Sequence, residues 1–600
     1  MYISNFLQFL RYFGKGYELK FVFIILMSVF AGFLEFIGIA LIFPLILMIL
    51  QPDAFSYFGV FGNLLQFHSP ELNIICLSLF VFGAFLLKNI FMCFVTYCQM
   101  LFLKDWQANI NTNVFKMYLF SSYESKLSMP ENFSIFQFTQ LSDIVFKGFV
   151  LRWVVVCSSS VILSVILLFL VYKFNWWAII TGVFFLVTGI IQNKILKSLT
   201  VSLGDKKISL MNAYNRNILA ALKNIKDIKI FGKEKYFYNA YKNYSLKTAK
   251  VDTLFDFYSA ISANIVEIVI IVAVLIMSFG VIKLSGGNSD MMVASFAVLA
   301  ATIFRMAPIV NKIQTALNVI GTHCSVFKEF ISAYEYYLSI PVEDGSKNDD
   351  MFEFEDEIVI KKLGFSFPNK EVLKDINLSI KKGEFIGIVG TSGVGKTTFI
   401  DILMGLLNSY TGCIEVDKKR LNSALFSSWY NSIAYVPQNV TTLPISISEN
   451  IAFGIDKNDI DYERLHKVIK TAQLDEYILQ LPDGVETVLN DVQSLSQGQK
   501  QRIGIARALY KNHSVLFLDE ITSALDIETE NKIIACLNEL KGKKTIIAIA
   551  HRLSTLKNCD KLFYFKSKDC VICGTFAELI DMDKDFEHLV QLAAVENKIS

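Results

Sequence analysis

"GTSGVGKTTF", Gly390 to Phe399, fits G-x-x-x-x-G-K-[ST], the pattern of a loop that cradles phosphate. It follows an apolar stretch, "FIGIV", and leads into a predicted helix from Lys396, the context this chemistry requires. Gly390, Gly393 and Gly395 let backbone amides close around phosphate oxygens at a helix N-terminus, with Thr391, Ser392, Val394 and Thr398 completing the nucleotide contact. Lys396 supplies charge to the β- and γ-phosphates, and the Thr397 hydroxyl suits a magnesium shell. The expected ligands are ATP and Mg2+. Downstream, "SVLFLDE" ends an apolar strand on Asp519, a second magnesium-shell candidate, and Glu520, placed to polarise an attacking water.

The half of the chain before this loop is of another kind. Of 600 residues, 53% are hydrophobic, and 52 are Phe. The apolar material is gathered in runs: 21–50 carries one charge, Glu35; 73–103 only Lys88; 153–172 and 176–192 none; 258–282 only Glu267; and 291–311 Arg305. A bilayer-spanning helix needs about 20 mostly apolar residues, so six spans are expected, the fourth borrowing its flanks. Lys and Arg crowd between spans four and five and between spans two and three, whereas residues 51–72 have none. By this asymmetry both termini lie inside. A net charge of +2 gives no ground for nucleic-acid binding. The first run is too long for a signal peptide and reads as a retained span. Cys570-x-x-Cys573 lies in an alternating, strand-like stretch and reads as structural.

The composition changes near residue 340. We expect a membrane domain over 1–340, an acidic linker over 341–354, and an α/β domain over 355–600 in which strands and helices alternate about a largely parallel sheet. The long intracellular connections read as helix, so the spans should project beyond the bilayer.

Further motifs bring a family resemblance. With "LSQGQKQRIGIARAL" (Leu495 to Leu509), Gln438 in "IAYVPQN" and His551 in "IAIAHRLS", residues 355 to 595 resemble the nucleotide-binding domain of ATP-binding-cassette (ABC) transporters. The resemblance implies roles. Phe367 stacks on adenine, Gln438 links metal and attacking water to the membrane domain, and His551 contacts the γ-phosphate. Ser496, Gln497, Gly498 and Gln499 form the signature that acts on the partner's ATP, and Asp526 lies at the dimer contact. Two departures stand out: Gln497 replaces a usual glycine, and Asn490 stands where exporters carry a glutamate. The membrane half resembles six-span exporters of type I/type IV fold, with "NIKDIKIFGKEKYF" (Asn224 to Phe237) similar to the loop that docks on the partner's nucleotide domain. One complete motif set per chain makes a homodimer the simplest assembly.

For the cargo, "GFLEFIGIALIFPLI" and "FRMAPIVNKI" resemble the exporters that flip lipid-linked oligosaccharides across the bacterial cytoplasmic membrane. An amphiphile such as a polyprenyl-linked glycan is then expected. Charges within spans are costly and usually face a cavity, so Lys88, Arg152 and Arg305, with Glu35, are the candidate substrate residues. On one reading the cations meet a pyrophosphate head group; on the other, Glu35 and Glu267 pair with them and lock helices together. The outer segment 54–67 reads as an interfacial helix interrupted by Gly59 and Gly62. Alternatives are a peptide or bacteriocin exporter, a drug or lipid exporter, and an ATP-gated channel or sensor. About twenty residues precede span one, which leaves no room for the protease domain of cargo-processing peptide exporters.

Overall fold

The computed structural model describes residues 2–41, 45–46, 49, 70–129, 134–284, 289–341, 352–368, 370–422, 425–489, 495–511, 513–521, 527–550, 552 and 556–599. The chain divides into two compact units, residues 1–121 with 129–341, and residues 122–128 with 342–600. Most of the expected linker and the expected outer helix at 54–67 lie outside the described residues.

The first unit is helical. Its elements are α1 (Tyr2–Phe13), α2 (Glu18–Ala40), α3 (Pro70–Phe120), α5 (Ile135–Val145), α6 (Leu151–Phe174), α7 (Trp176–Lys223), α8 (Ile225–Ile230), α9 (Glu234–Leu284) and α10 (Ser289–Ser339), with α4 (Tyr123–Leu127) assigned to the second unit. Six of these helical stretches are long and apolar enough to cross a membrane. The third expected span is longer than its apolar run, because a π-helical turn at Phe146–Val150 joins α5 to α6 without a break. At the start of the fourth, Asn175 adopts φ 47° and α7 begins at the next residue, so this span takes its extra length from its C-terminal flank. A helix of 51 residues, such as α3, α9 or α10, runs to about 76 Å, against about 30 Å of hydrocarbon.

Packing in this unit is of two kinds. An aromatic core forms where α1 lays Phe6, Phe9 and Phe13, spaced for one helical face, against Trp106, Phe146, Phe327 and Phe330. The Phe9 and Trp106 ring centroids are 5.0 Å apart, and the buried Trp106 Nε1 donates to the Phe13 carbonyl at 2.9 Å. A smaller aliphatic core joins α6, α9 and α10 through Ile166, Met277 and Leu299. The remaining faces of the spans carry exposed Leu, Ile, Val and Phe, the surface a lipid solvent favours.

The second unit is built on strands β1 (Glu357–Phe367), β2 (Lys370–Lys381), β3 (Phe385–Gly390), β4 (Thr411–Val416), β5 (Lys419–Arg420), β6 (Ile433–Val436), β7 (Val515–Asp519), β8 (Thr545–Ile549), β9 (Lys561–Ser567) and β10 (Cys570–Gly574). An antiparallel sheet runs β2-β1-β4-β5; a six-stranded sheet runs β10-β9-β3-β8-β7-β6, parallel except for the β10–β9 pair. β3 is buried at every position, as a parallel strand covered on both faces must be. One face packs with Phe399, Trp429 and the antiparallel sheet, the other with Leu465, Ile503 and Leu537. Cys570 and Cys573, three apart on β10, fall on opposite sheet faces and are both free thiols.

Candidate functional site

In a parallel α/β sheet the groups that act on a ligand collect beyond the carboxyl ends of the strands. Here β3 ends at Gly390, β6 runs into Gln438 and β7 ends at Asp519. The loop after β3 turns into helix α11 (Lys396–Leu403) through backbone that side chains resist. Gly390 has φ 151°, and a Cβ there would sit 2.5 Å from the Phe565 carbonyl oxygen. Gly395, the N-cap of α11, has φ 112°, and its Cβ would press on Val372 and Leu373 at 3.0 Å. Strand β2 therefore passes directly against the loop, and glycine is what permits it.

The Lys396 ammonium reaches back over the loop, donating to the carbonyls of Gly390 at 2.7 Å and Thr391 at 3.0 Å. Burial lowers its pKa, against the pull of Glu520 and Asp519, which favour the charged form. Thr391, Ser392, Gly393 and Thr397 are exposed, Val394 and Thr398 partly so, leaving the cradle open on its outer side. Glu520 follows β7 with φ 48°, a left-handed conformation that a glutamate rarely adopts. Its carboxylate accepts from Gln438 Nε2 at 2.6 Å, so the two side chains expected to handle water are already joined. Strain of this kind gathers at functional positions. A glycine cradle with a lysine, a threonine hydroxyl, an aspartate and a glutamine gives the hard-oxygen donors that fit a nucleotide with Mg2+.

Phe367 lies at the end of β1, half-exposed, its ring edge-on to Phe365 at 5.1 Å. Ser496 caps the helix α12 (Gln497–Tyr510) by a capping box: its hydroxyl accepts from Gln499 N at 3.1 Å, and Gln499 Oε1 accepts from Ser496 N at 2.8 Å. The unusual Gln497 has a partner, donating to Asn439 Oδ1 at 3.4 Å, beside Gln438. Gly498 lies in the first turn of the same helix. His551, Asp526 and Asn490 lie outside the described residues.

Three side chains near Asp519 escaped the sequence reading. Burial pushes the Asp401 carboxyl up to about 6, with the Asp519 charge adding to it. Burial likewise raises the Tyr435 phenol, which hydrogen-bonds Asp519. Asp401 stands four residues after Thr397 on α11, on one helical face, and that spacing was the available signal. The third is Tyr123 of α4, whose phenol is raised by burial and then by Asp401. The next residue, Glu124, anchors this five-residue helix: Oε2 accepts from the backbone of Asn408 at 3.0 Å and Ser409 at 3.3 Å. A tip of the connection between spans two and three thus belongs to the second unit.

Within the first unit, a cavity of about 620 Å³ has Glu35, Lys88, Arg152, Arg305 and Lys312 in its wall. Glu35 pairs with Lys88, both buried, and receives Arg305 Nε at 3.5 Å. The charges line a cavity, and Glu35 pairs with two of them. Glu267 is exposed and takes no part in the cavity wall. Lys312 was missed, although it follows Arg305 by seven residues, two turns along one face of α10.

Residues 373–523 match the family model described as ABC transporter. Over 379 residues, 60% of this chain, the sequence is 32% identical to an ATP-dependent lipid A-core flippase of Francisella novicida, of which 61% is covered. It is 36% identical over 300 residues, 49% of the chain, to the ABC multidrug transporter mdr1 of Aspergillus fumigatus, of which 21% is covered. The chain thus spans about three fifths of one relative and a fifth of the other. A solved structure of a bacterial Atm1-family ABC exporter with ATP bound superposes with TM-score 0.78 at 18% identity, covering 96% of this chain and 99% of that one.

Proposed function

We propose that this chain, which has the fold of an ABC exporter half, couples ATP hydrolysis to movement of an amphiphile across the bacterial cytoplasmic membrane. The observation that carries the reading is the joined Glu520–Gln438 pair at the strand ends beside the glycine cradle, in a chain whose described residues include six membrane-length helices. Lys396 leaves its carbonyls for the β- and γ-phosphates, Phe367 offers a ring to the adenine, and Thr397, Gln438 and Asp519 would hold Mg2+. The metal, when bound, neutralises charge developing on the phosphoryl oxygens. Glu520 takes a proton from the attacking water, oriented by Gln438.

Two copies complete the site. The signature residues Ser496, Gln497, Gly498 and Gln499 present a helix N-terminus and its hydroxyl to the nucleotide held by the partner, while His551 serves the γ-phosphate and Asp526 the dimer contact. A groove of about 780 Å³ among Tyr435, Ile451, Phe453, Arg507 and Tyr510 receives the partner's α8, whose Ile225 and Ile230, with Phe231 after it, are exposed. Exposed apolar side chains grouped in this way mark a docking surface. Both termini and the nucleotide unit are assigned to the cytoplasmic side by the Lys/Arg asymmetry.

For the cargo, the four cations of the membrane cavity support an anionic head group, and a lipid-linked oligosaccharide is the proposed substrate. The test is reconstitution in liposomes with labelled polyprenyl-pyrophosphate glycan, scored by ATP-dependent change in head-group accessibility. Arg305→Ala is expected to cut transport far more than basal ATPase, because the ATP site is in another unit. Failure of this substrate to move, while a hydrophobic peptide or drug does, overturns the substrate assignment and leaves the exporter.

A further inference from the structure

The cavity in the membrane unit already contains an anion of its own. Glu35 on α2 projects one carboxylate to which cations from two other spans converge: Lys88 of α3 on Oε2, and Arg305 of α10 on Oε1 at 3.5 Å. The pair with Lys88 is deeply buried, Glu35 being 5% and Lys88 6% exposed. Arg305 is further held with its guanidinium 4.7 Å from the centre of the Phe85 ring. Meanwhile the Nε of Arg152, in the same wall, is buried with no hydrogen-bond partner among the described residues. Lys312, Ser158, Ser159 and Asn311 extend the polar lining.

We propose that Glu35 is a resident counter-anion that a phosphoryl head group must displace from Lys88 and Arg305, so that Glu35 holds down the affinity of the cavity for every phosphate ester it admits. The inference rests on the proposed anionic cargo and adds the residue that limits its affinity. A carboxylate offers two oxygens and one negative charge, one oxygen to each cation. A phosphodiester brings the same single charge and exchanges like for like, losing its own hydration on the way. A phosphomonoester or pyrophosphate brings a second charge and a third terminal oxygen, enough to satisfy both cations. The cost of displacing Glu35 is common to both ligands, so it weakens both and leaves their ratio to the charge of the head groups themselves. Once displaced, the Glu35 carboxylate is a like charge beside the head group, which opposes prolonged retention of the cargo.

The test uses the full chain in phosphatidylcholine nanodiscs, titrated with dihexanoyl phosphatidic acid and dihexanoyl phosphatidylglycerol, with affinities read by equilibrium dialysis of labelled probe. The wild type should prefer phosphatidic acid by about tenfold or more. Glu35→Gln should tighten both probes about tenfold, phosphatidic acid no less than phosphatidylglycerol, and Glu35→Asp should keep the wild-type affinities. Should Glu35→Gln not accumulate, Glu35→Gln with Lys88→Gln is compared with Lys88→Gln alone, the contest then resting on Arg305. Unchanged affinities in the Gln variant, or loss of both probes, overturn the role of Glu35 while wild-type binding leaves the anionic cargo standing. A wild type that binds neither probe overturns the cargo reading and this inference with it. Displacement of bound phosphatidic acid by glycerol 3-phosphate at equal concentration assigns the site to a soluble phosphate ester and overturns the lipid reading, not the counter-anion.

Discussion

Glu520→Gln separates chemistry from binding in the nucleotide unit. The glutamate is joined to Gln438 at 2.6 Å, and the new amide oxygen can accept that same bond, so geometry is conserved. Lys396 and the glycine turns are untouched, so nucleotide affinity should change by no more than about threefold. What is lost is the group that accepts the proton from water, and a positioned general base is worth about 100- to 10,000-fold, equivalent to about 3–5 kcal/mol of barrier. The assay is steady-state ATPase of the purified protein beside equilibrium binding of ATP. Glu520→Gly provides a control drawn from the backbone. The φ of 48° costs a non-glycine residue about 1 kcal/mol, offset in part by the greater freedom of glycine in the unfolded chain. That variant should be as inactive as the amide and no less stable. A turnover loss under about tenfold in Glu520→Gln, or affinity falling in step with turnover, would refute the assignment.

Two further outcomes follow from the second unit. Glu124→Ala removes the acceptor for two backbone amides at the tip of α4, worth about 1 kcal/mol at this exposed position; lipid-stimulated ATPase should fall about fivefold, and unchanged stimulation would show that α4 transmits nothing. His513, 2% exposed, has its imidazole pushed down to about 4 by burial, with Lys544 and Lys511 adding to it against its hydrogen bond to the Lys511 carbonyl. Its folded pKa is depressed, so its stabilisation is complete above about 6.5 and is lost as pH falls from there toward 4, amounting to about 2 kcal/mol by pH 5. Thermal unfolding at pH 7.5 and pH 5 should show a drop of about 4–8 °C attributable to this group, and His513→Phe should shrink the drop; an equal drop in both proteins would assign the acid sensitivity elsewhere.

The sequence by itself was enough for the parts of this protein that depend on local pattern. Apolar runs of membrane length reported the six spans, because water and hydrocarbon sort residues by transfer energy regardless of what they touch. The glycine loop and the strand ending in Asp519 and Glu520 were legible because a phosphate cradle is a short-range backbone device. Only the tertiary structure showed that Gln438 meets Glu520 and that Gln497 reaches Asn439. It also showed that the tip of the connection between spans two and three belongs to the nucleotide unit's fold. The intramembrane charges mark the boundary most sharply. Lys88, Glu35 and Arg305 were each conspicuous in the sequence, yet whether they paired with one another or faced a cavity could not be read there. Ion pairing between spans depends on the rotation and depth of three separate helices, α2, α3 and α10, and those are set by helix packing rather than by hydropathy.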